Sequence, residues 1–69
     1  MWCPRCDQGD VKKVRINATG EVAHVCDECE ALWPIGVDVS STGFVDFATY
    51  VKPSGLNGLW SELTELSDE

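Results

Sequence analysis

The sequence predicts a small α+β domain that cannot rest on a hydrophobic core alone, and three observations carry that expectation. The chain has 69 residues, a length at which apolar burial is marginal and a staple is usually needed. Its hydrophobic content of 43% is too high for a disordered tail. Its four cysteines fall as two C-x2-C pairs, "CPRC" at 3–6 and "CDEC" at 26–29, on either side of a stretch patterned as a β-hairpin.

After the first pair, "VKKVRIN" alternates Val14 and Ile16 with Lys13 and Arg15, as a half-solvated strand does. "ATG" supplies a turn, with Gly20 free to take positive φ. "EVAHVC" returns as a second strand and delivers Cys26 to the end of the hairpin. In "LWPIGVDV", Ile35, Val37 and Val39 alternate as a third strand would, which gives a three-stranded antiparallel sheet. "SSTG" then interrupts the chain. Within "FVDFATYVK", Phe44, Phe47, Ala48 and Val51 recur at i, i+3, i+4 and i+7 and predict a short helix. Beyond "PSGLNG", "LWSELTEL" reads as a final helix with Asn57 as its N-cap. Leu59, Leu63 and Leu66 form its apolar stripe with Trp60 adjoining, and Glu62, Glu65 and Glu69 form an acidic stripe on another face. The last three residues are expected to fray.

The cysteine pattern is C-x2-C-x19-C-x2-C. Two intervening residues let both sulfurs of a tight turn face one ion, and the 19-residue spacer accommodates a hairpin that sets the turns side by side. Cys3, Cys6, Cys26 and Cys29 are therefore the expected ligands of one structural Zn²⁺. On these residues the chain resembles the zinc-ribbon family, in which two zinc knuckles flank a β-hairpin with a third strand behind. The resemblance covers residues 1–39, and "CPRC" matches the family's Cys-Pro-x-Cys knuckle. It implies a zinc ribbon over 1–39, with 40–69 as a C-terminal helical extension packed on it in one folded unit. In the family a Gly commonly follows the second Cys of each knuckle; here Asp7 and Glu30 stand in those places.

Three other readings use the same cysteines. A thioredoxin-type redox motif needs a βαβ frame that the pattern lacks. A disulfide scaffold needs an oxidising compartment, and the N-terminus "MWCPRCDQGD" has no basic and apolar signal-peptide layout. A rubredoxin-like electron carrier would bind iron through the same four thiolates. Its cysteine pairs are usually further apart, and its Tyr near the first knuckle is missing here. His24, two residues before Cys26, is expected near the site but outside a ligand set that four cysteines already close. A closed set leaves no position for a reactive water, which argues against metal-assisted hydrolysis.

The rest of the chain carries no catalytic pattern. Asp27/Glu28 and Glu62/Glu65 read as solvated charge, and Ser40, Ser41 and Thr42 as turn and cap residues. Trp33 is expected in the core, while Trp2 and Trp60 suit either core or interface. The net charge of −7 is uneven: residues 26–69 hold nine carboxylates against Lys52 alone. That balance disfavours nucleic acid and favours a basic partner. Lys12, Lys13 and Arg15 are the one phosphate-contacting run and carry the alternative of a nucleic-acid or transcription-associated ribbon. No apolar stretch is long enough for a membrane span, and a cytoplasmic location is expected. The layout "MWCPRCDQGDV…VCDECEALW…GLNGLWSEL" is also similar to small bacterial zinc-ribbon proteins found beside polymorphic or contact-dependent toxins. That resemblance implies an immunity protein that covers a toxin's active surface, with Asp38, Asp46, Trp60, Glu62 and Glu65 as the implied contacts.

Overall fold

The computed structural model describes residues 2–66. Five strands form one antiparallel sheet: β1 (Val11–Ile16), β2 (Val22–Cys26), β3 (Ala31–Pro34), β4 (Val45–Asp46) and β5 (Leu63–Glu65), in the spatial order β4-β3-β2-β1-β5. The one α-helix among the described residues, α1 (Phe47–Val51), follows β4 directly. The β1–β2 hairpin is the one the alternation predicts, with Val14 opposite Ala23 and Val11 opposite Cys26. Gly20, at φ 78°, lets the turn close through the Gly20 amide on the Ile16 carbonyl at 2.7 Å.

Alternation places a separate core on each face of the sheet. One face buries Val14, Ile16, Ala23, Val25 and Leu32 beneath Phe47 and Val51, with Tyr50, Leu56, Trp60 and Leu63 packed at its margin. The other buries Val11, Ala31 and Trp33 together with Cys3 and Cys26, with Cys6, Cys29, Val39 and Phe44 around them. The cysteine cluster therefore completes the second core rather than hanging from a loop.

The third strand differs from the expectation. It runs over Ala31–Pro34, and Ile35 and Val37 lie beyond it, exposed. The strand is buried on both faces, Leu32 on one and Ala31 and Trp33 on the other, so its sequence does not alternate. The alternating run that follows is broken by Gly36 at φ 89°, where the chain turns back and the Val37 amide reaches the Pro34 carbonyl at 3.0 Å.

The helix expected around Phe44–Val51 shortens to α1. Asp46 caps it in extended conformation, its carboxylate accepting from the amide and the hydroxyl of Thr49, both at 3.1 Å. Phe47 and Val51, one turn apart, are the residues α1 buries, whereas Phe44 stays outside the helix and packs edge-on to Trp33. Lys52–Ser54 continues as a 3₁₀ turn.

The final helix is not formed. Trp60–Glu62 makes one 3₁₀ turn, and Leu63–Glu65 then adds to β1 as an edge strand, with Leu63 opposite Ile16 and Glu65 opposite Val14. A helix as short as "LWSELTEL" is marginal by itself. The ladder to β1 satisfies an edge that would otherwise stay open, and it carries Leu63 onto the core. The stripe of Leu59, Leu63 and Leu66 dissolves accordingly, and Leu59 is 54% exposed. Glu62 and Glu65 no longer share a helical face; Glu69 and the fraying expected of the last three residues lie outside the described residues. The expected three-stranded ribbon with a helical extension is thus a five-stranded sheet, to which residues after 40 supply both edge strands. No helix among the described residues is long and apolar enough to cross a membrane.

Candidate metal centre

Two short turns bring the cysteines together, one before β1 and one between β2 and β3. Each turn is closed by an amide returning to the first cysteine's carbonyl: Asp7 to Cys3 at 3.1 Å and Glu30 to Cys26 at 3.2 Å. Asp7 and Glu30 both sit in the left-handed region, at φ 58° and 59°. These are the two positions where the zinc-ribbon resemblance expects Gly. The knuckle backbone keeps the glycine conformation although neither residue is glycine, at some local strain. The Trp2 indole donates to Asp7, which occupies one carboxylate oxygen beside the first knuckle.

Within each turn, backbone amides point at the first sulfur. Arg5 N lies 3.4 Å from Cys3 Sγ, and the amides of Glu28 and Cys29 lie 3.4 and 3.5 Å from Cys26 Sγ. Such contacts stabilise thiolate charge. The turns are tied to each other: the Asp27 amide donates to the Asp10 carbonyl at 3.0 Å, and the Asp10 amide donates to the Asp27 carboxylate at 2.9 Å. Gly9 lies where the two turns meet. A Cβ there would stand 2.6 Å from Cys26 Sγ and 2.7 Å from Glu28 Cβ, so only glycine fits.

The four sulfurs all lie within 4.8 Å of one another. Cys3 Sγ is 3.8 Å from Cys29 Sγ, and Cys6 Sγ is 3.7 Å from Cys26 Sγ. A tetrahedron of sulfurs about 2.3 Å from a central ion has edges of about 3.8 Å. The cysteines are free rather than disulfide-bonded, and their spacing is that of a four-coordinate metal cage. The set could hold one metal ion, with every tetrahedral position supplied by protein.

Burial divides the ligands. Cys3 and Cys26 are fully buried, while Cys6 and Cys29 remain partly exposed. The Cys6 thiol is drawn down to about 6, chiefly by the Gln8 amide, with partial burial opposing and the Gly9 amide and neighbouring sulfurs helping. Burial pushes the Cys26 thiol up to about 12 despite the amides of Cys29 and Glu28. Filling the site with a cation therefore requires expelling a proton from Cys26, and the ion's charge supplies the drive.

Several residues around the centre were not legible as functional. Arg5 donates from Nη1 to the Cys29 carbonyl at 3.3 Å, and its guanidinium lies 4.6 Å from the centre of the Phe44 ring. Phe44 in turn meets Trp33, whose indole donates to the carbonyls of Ser40 and Thr42. The first knuckle is thereby linked through Arg5, Phe44 and Trp33 to the 35–44 loop. The one sequence signal was the placement of Arg5 between two ligands.

The other expected residues are dispersed. His24 is half-buried on β2, opposite Lys13 on one side and Trp33 on the other, with Nδ1 buried and lacking a hydrogen-bond partner among the described residues. Trp33 is wholly buried, Trp2 is 60% exposed, and Trp60 is half-buried with its ring edge-on to Phe47. Asp46 is the α1 cap. Glu62 accepts the amides of Asn57, Gly58 and Leu59 at 3.1, 3.0 and 2.9 Å. Glu65 faces Lys12 at 3.9 Å, and Asp38 is exposed in the loop after β3. The basic run is split: Lys12 lies on the face with Val14 and contacts Asp10 and Glu65, whereas Lys13 and Arg15 point to the opposite face.

The fold and site together define a small domain with a five-stranded antiparallel sheet and a four-cysteine cluster suited to one metal ion. Comparison with protein-family models, with curated proteins and with solved structures returned no match.

Proposed function

We propose that this protein is a non-catalytic docking module, a zinc-ribbon-type domain held by one structural Zn²⁺ on Cys3, Cys6, Cys26 and Cys29, whose acidic knuckle end seats a basic partner protein. The observation that carries the reading is the distribution of carboxylates. Asp46 and Glu62 are engaged as backbone caps and Glu65 is turned to Lys12. Four more, exposed Asp7, Asp27 and Glu28 and half-exposed Glu30, lie within or directly after the two cysteine turns; Asp7 accepts from Trp2 and Asp27 from the Asp10 amide through one oxygen each, which leaves their charge at that end. A zinc ion on four thiolates adds about two negative charges beside them. Trp2, exposed at the same end, offers the kind of aromatic anchor on which interfaces concentrate binding energy. Charge gathered at one end steers and orients association with a cationic surface.

Four sulfurs in a closed tetrahedral set suit zinc, and iron in the same set would make the protein a red, rubredoxin-like electron carrier. Metal analysis of purified protein separates the two. Within the docking reading, the particular form we favour is an immunity-type inhibitor that covers the active surface of a basic bacterial toxin domain in the cytoplasm. Calorimetric titration against such a toxin domain is expected to give 1:1 binding that weakens with salt. The double variant Glu28→Lys/Glu30→Lys should lose at least about tenfold in affinity; undiminished binding by that variant would sink the reading.

A second reading draws on one observation. Lys13, Arg15 and His24 share a sheet face, and neither Lys13 nor Arg15 has a side-chain partner among the described residues. Such a face fits the phosphates of a nucleic acid. A salt-dependent mobility shift of DNA or RNA, abolished by Lys13→Glu/Arg15→Glu, would favour this reading over the first.

A further inference from the structure

Besides holding a metal, four sulfurs within 4.8 Å of one another have a second chemistry, and two of their contacts point to its products. The contacts at 3.7 Å (Cys6–Cys26) and 3.8 Å (Cys3–Cys29) both run from one knuckle to the other. Each joins a sulfur on a partly exposed residue, Cys6 or Cys29, to one on a buried residue, Cys26 or Cys3. An oxidised sulfur on Cys6 or Cys29 is thus met by the sulfur of a buried cysteine already in van der Waals contact, the arrangement in which a sulfenic acid is captured before it oxidises further.

We infer that the centre is a peroxide-responsive thiol site, in which a hydroperoxide converts the cysteines to Cys6–Cys26 and Cys3–Cys29 disulfides and the metal ion leaves. In each pair the exposed thiolate attacks the peroxide oxygen. The O–O bond breaks, hydroxide departs, and the sulfur becomes a sulfenic acid. The buried thiolate then attacks that sulfur, the S–O bond breaks, and a second hydroxide departs as the disulfide forms. Two electrons pass from each sulfur pair to one peroxide molecule, and the divalent ion is released with no ligand left to it. Release of the ion rests on the metal reading above; the choice of sulfur pairs does not.

The pairing has a structural consequence. Bridges between the knuckles link residues 20 and 26 positions apart, so they clamp the same ends of the hairpin that the metal clamps. Bridges within each C-x2-C turn would leave the knuckles untied. Oxidation therefore exchanges one staple for another and keeps the fold, whereas chelation removes the staple and loses it.

The experiment uses the full reduced chain, its zinc content measured first, then treated with hydrogen peroxide beside a colorimetric zinc indicator. Remaining thiols are alkylated and the protein is digested without reduction. Cleavage after Arg5, Lys13 and Glu28 separates all four cysteines, so the map is unambiguous. Expected are release of the bound zinc, Cys3–Cys29 and Cys6–Cys26 peptides, and a far-ultraviolet spectrum that persists until dithiothreitol is added. Bridges within the knuckles, any other pairing, sulfinic acids in place of bridges, or four unmodified thiols would overturn the inference. A chain that carries no metal at the outset yet yields the two named bridges upholds the pairing and removes only the metal reading.

Discussion

Glu62 illustrates how a charged side chain changes meaning once the backbone around it is known. As part of a presumed helical stripe it looks like surface charge, but its carboxylate closes the 57–59 loop by accepting three amides. The amides of Leu59 and Asn57, with partial desolvation opposing and Gly58 assisting, hold it below the usual glutamate range. The folded protein therefore binds that proton less readily than the unfolded chain does. The cap's contribution is complete above the unfolded value of about 4.3 and is lost as pH falls through the lower folded value. Glu62→Ala is accordingly expected to lower the melting temperature at pH 7 and to make progressively less difference as the pH falls through that range; a deficit that stays constant with pH would contradict the assignment. Gly58 explains why the loop can close: it stands at φ 79°, with Ala48 backbone 2.7 Å from where a Cβ would lie. Asp7 and Glu30 carry the converse lesson, since side chains persist there on glycine-like backbone because each follows a cysteine pair whose turn it closes with its own amide.

Among the elements, β1 and β2 were readable because each has one polar and one apolar face, so the period of two survives in the sequence. β3 lies earlier than alternation placed it, because burial on both faces erases that period. The last element was mistaken in type. Leu59, Leu63 and Leu66 recur as a helix face would, yet so short an amphipathic segment gains more by completing β1 than by standing alone. Thr64, opposite Arg15 in the resulting ladder, tests this. Thr64→Pro removes a backbone donor and is expected to destabilise the domain and speed amide exchange at Val14–Ile16 on the facing strand. Unchanged exchange there would mean that β5 contributes no cover. Were the segment a helix, proline at that place would leave β1 untouched.

For the whole molecule, the decisive question is what the four-cysteine cluster, which could hold one metal ion, contributes to stability. The face that holds Trp33 has few large buried side chains besides it, and the cysteine cluster fills the remainder. Structural zinc sites of this kind contribute apparent free energies of about 10–16 kcal/mol at neutral pH, comparable with the total stability of a small domain. Chelation is expected to abolish the cooperative melt and the near-ultraviolet signal of Trp33, and Cys29→Ser to do the same. His24→Ala, outside the sulfur cluster, should leave both intact. A chelated protein that still melts cooperatively would show the core to be sufficient. Because Cys26, raised to about 12, would have to give up a proton for the site to hold a metal, metal affinity is expected to climb about tenfold or more per pH unit near neutrality, while Cys6, near 6, adds to that slope only in acid.

Legibility of the site and of the fold differed for one reason. The four cysteines, their spacing and the hairpin between them are local: residue types and intervals of two and 19 suffice to bring the sulfurs to one point. The same holds for Trp33 in the core and for Ser40 and Thr42 in a turn, where Ser40 Oγ meets the Thr42 carbonyl at 2.8 Å. The sheet's two edge strands, the Arg5–Phe44–Trp33 contact and the engagement of Asp46, Glu62 and Glu65 appear only once the backbone is folded. Periodicity cannot report such pairings, because the same apolar interval serves a helix in isolation and a strand beside an open edge. The cysteine spacing was therefore written in the chain itself, and the tertiary structure alone decided which carboxylates are taken up by backbone amides and by Lys12.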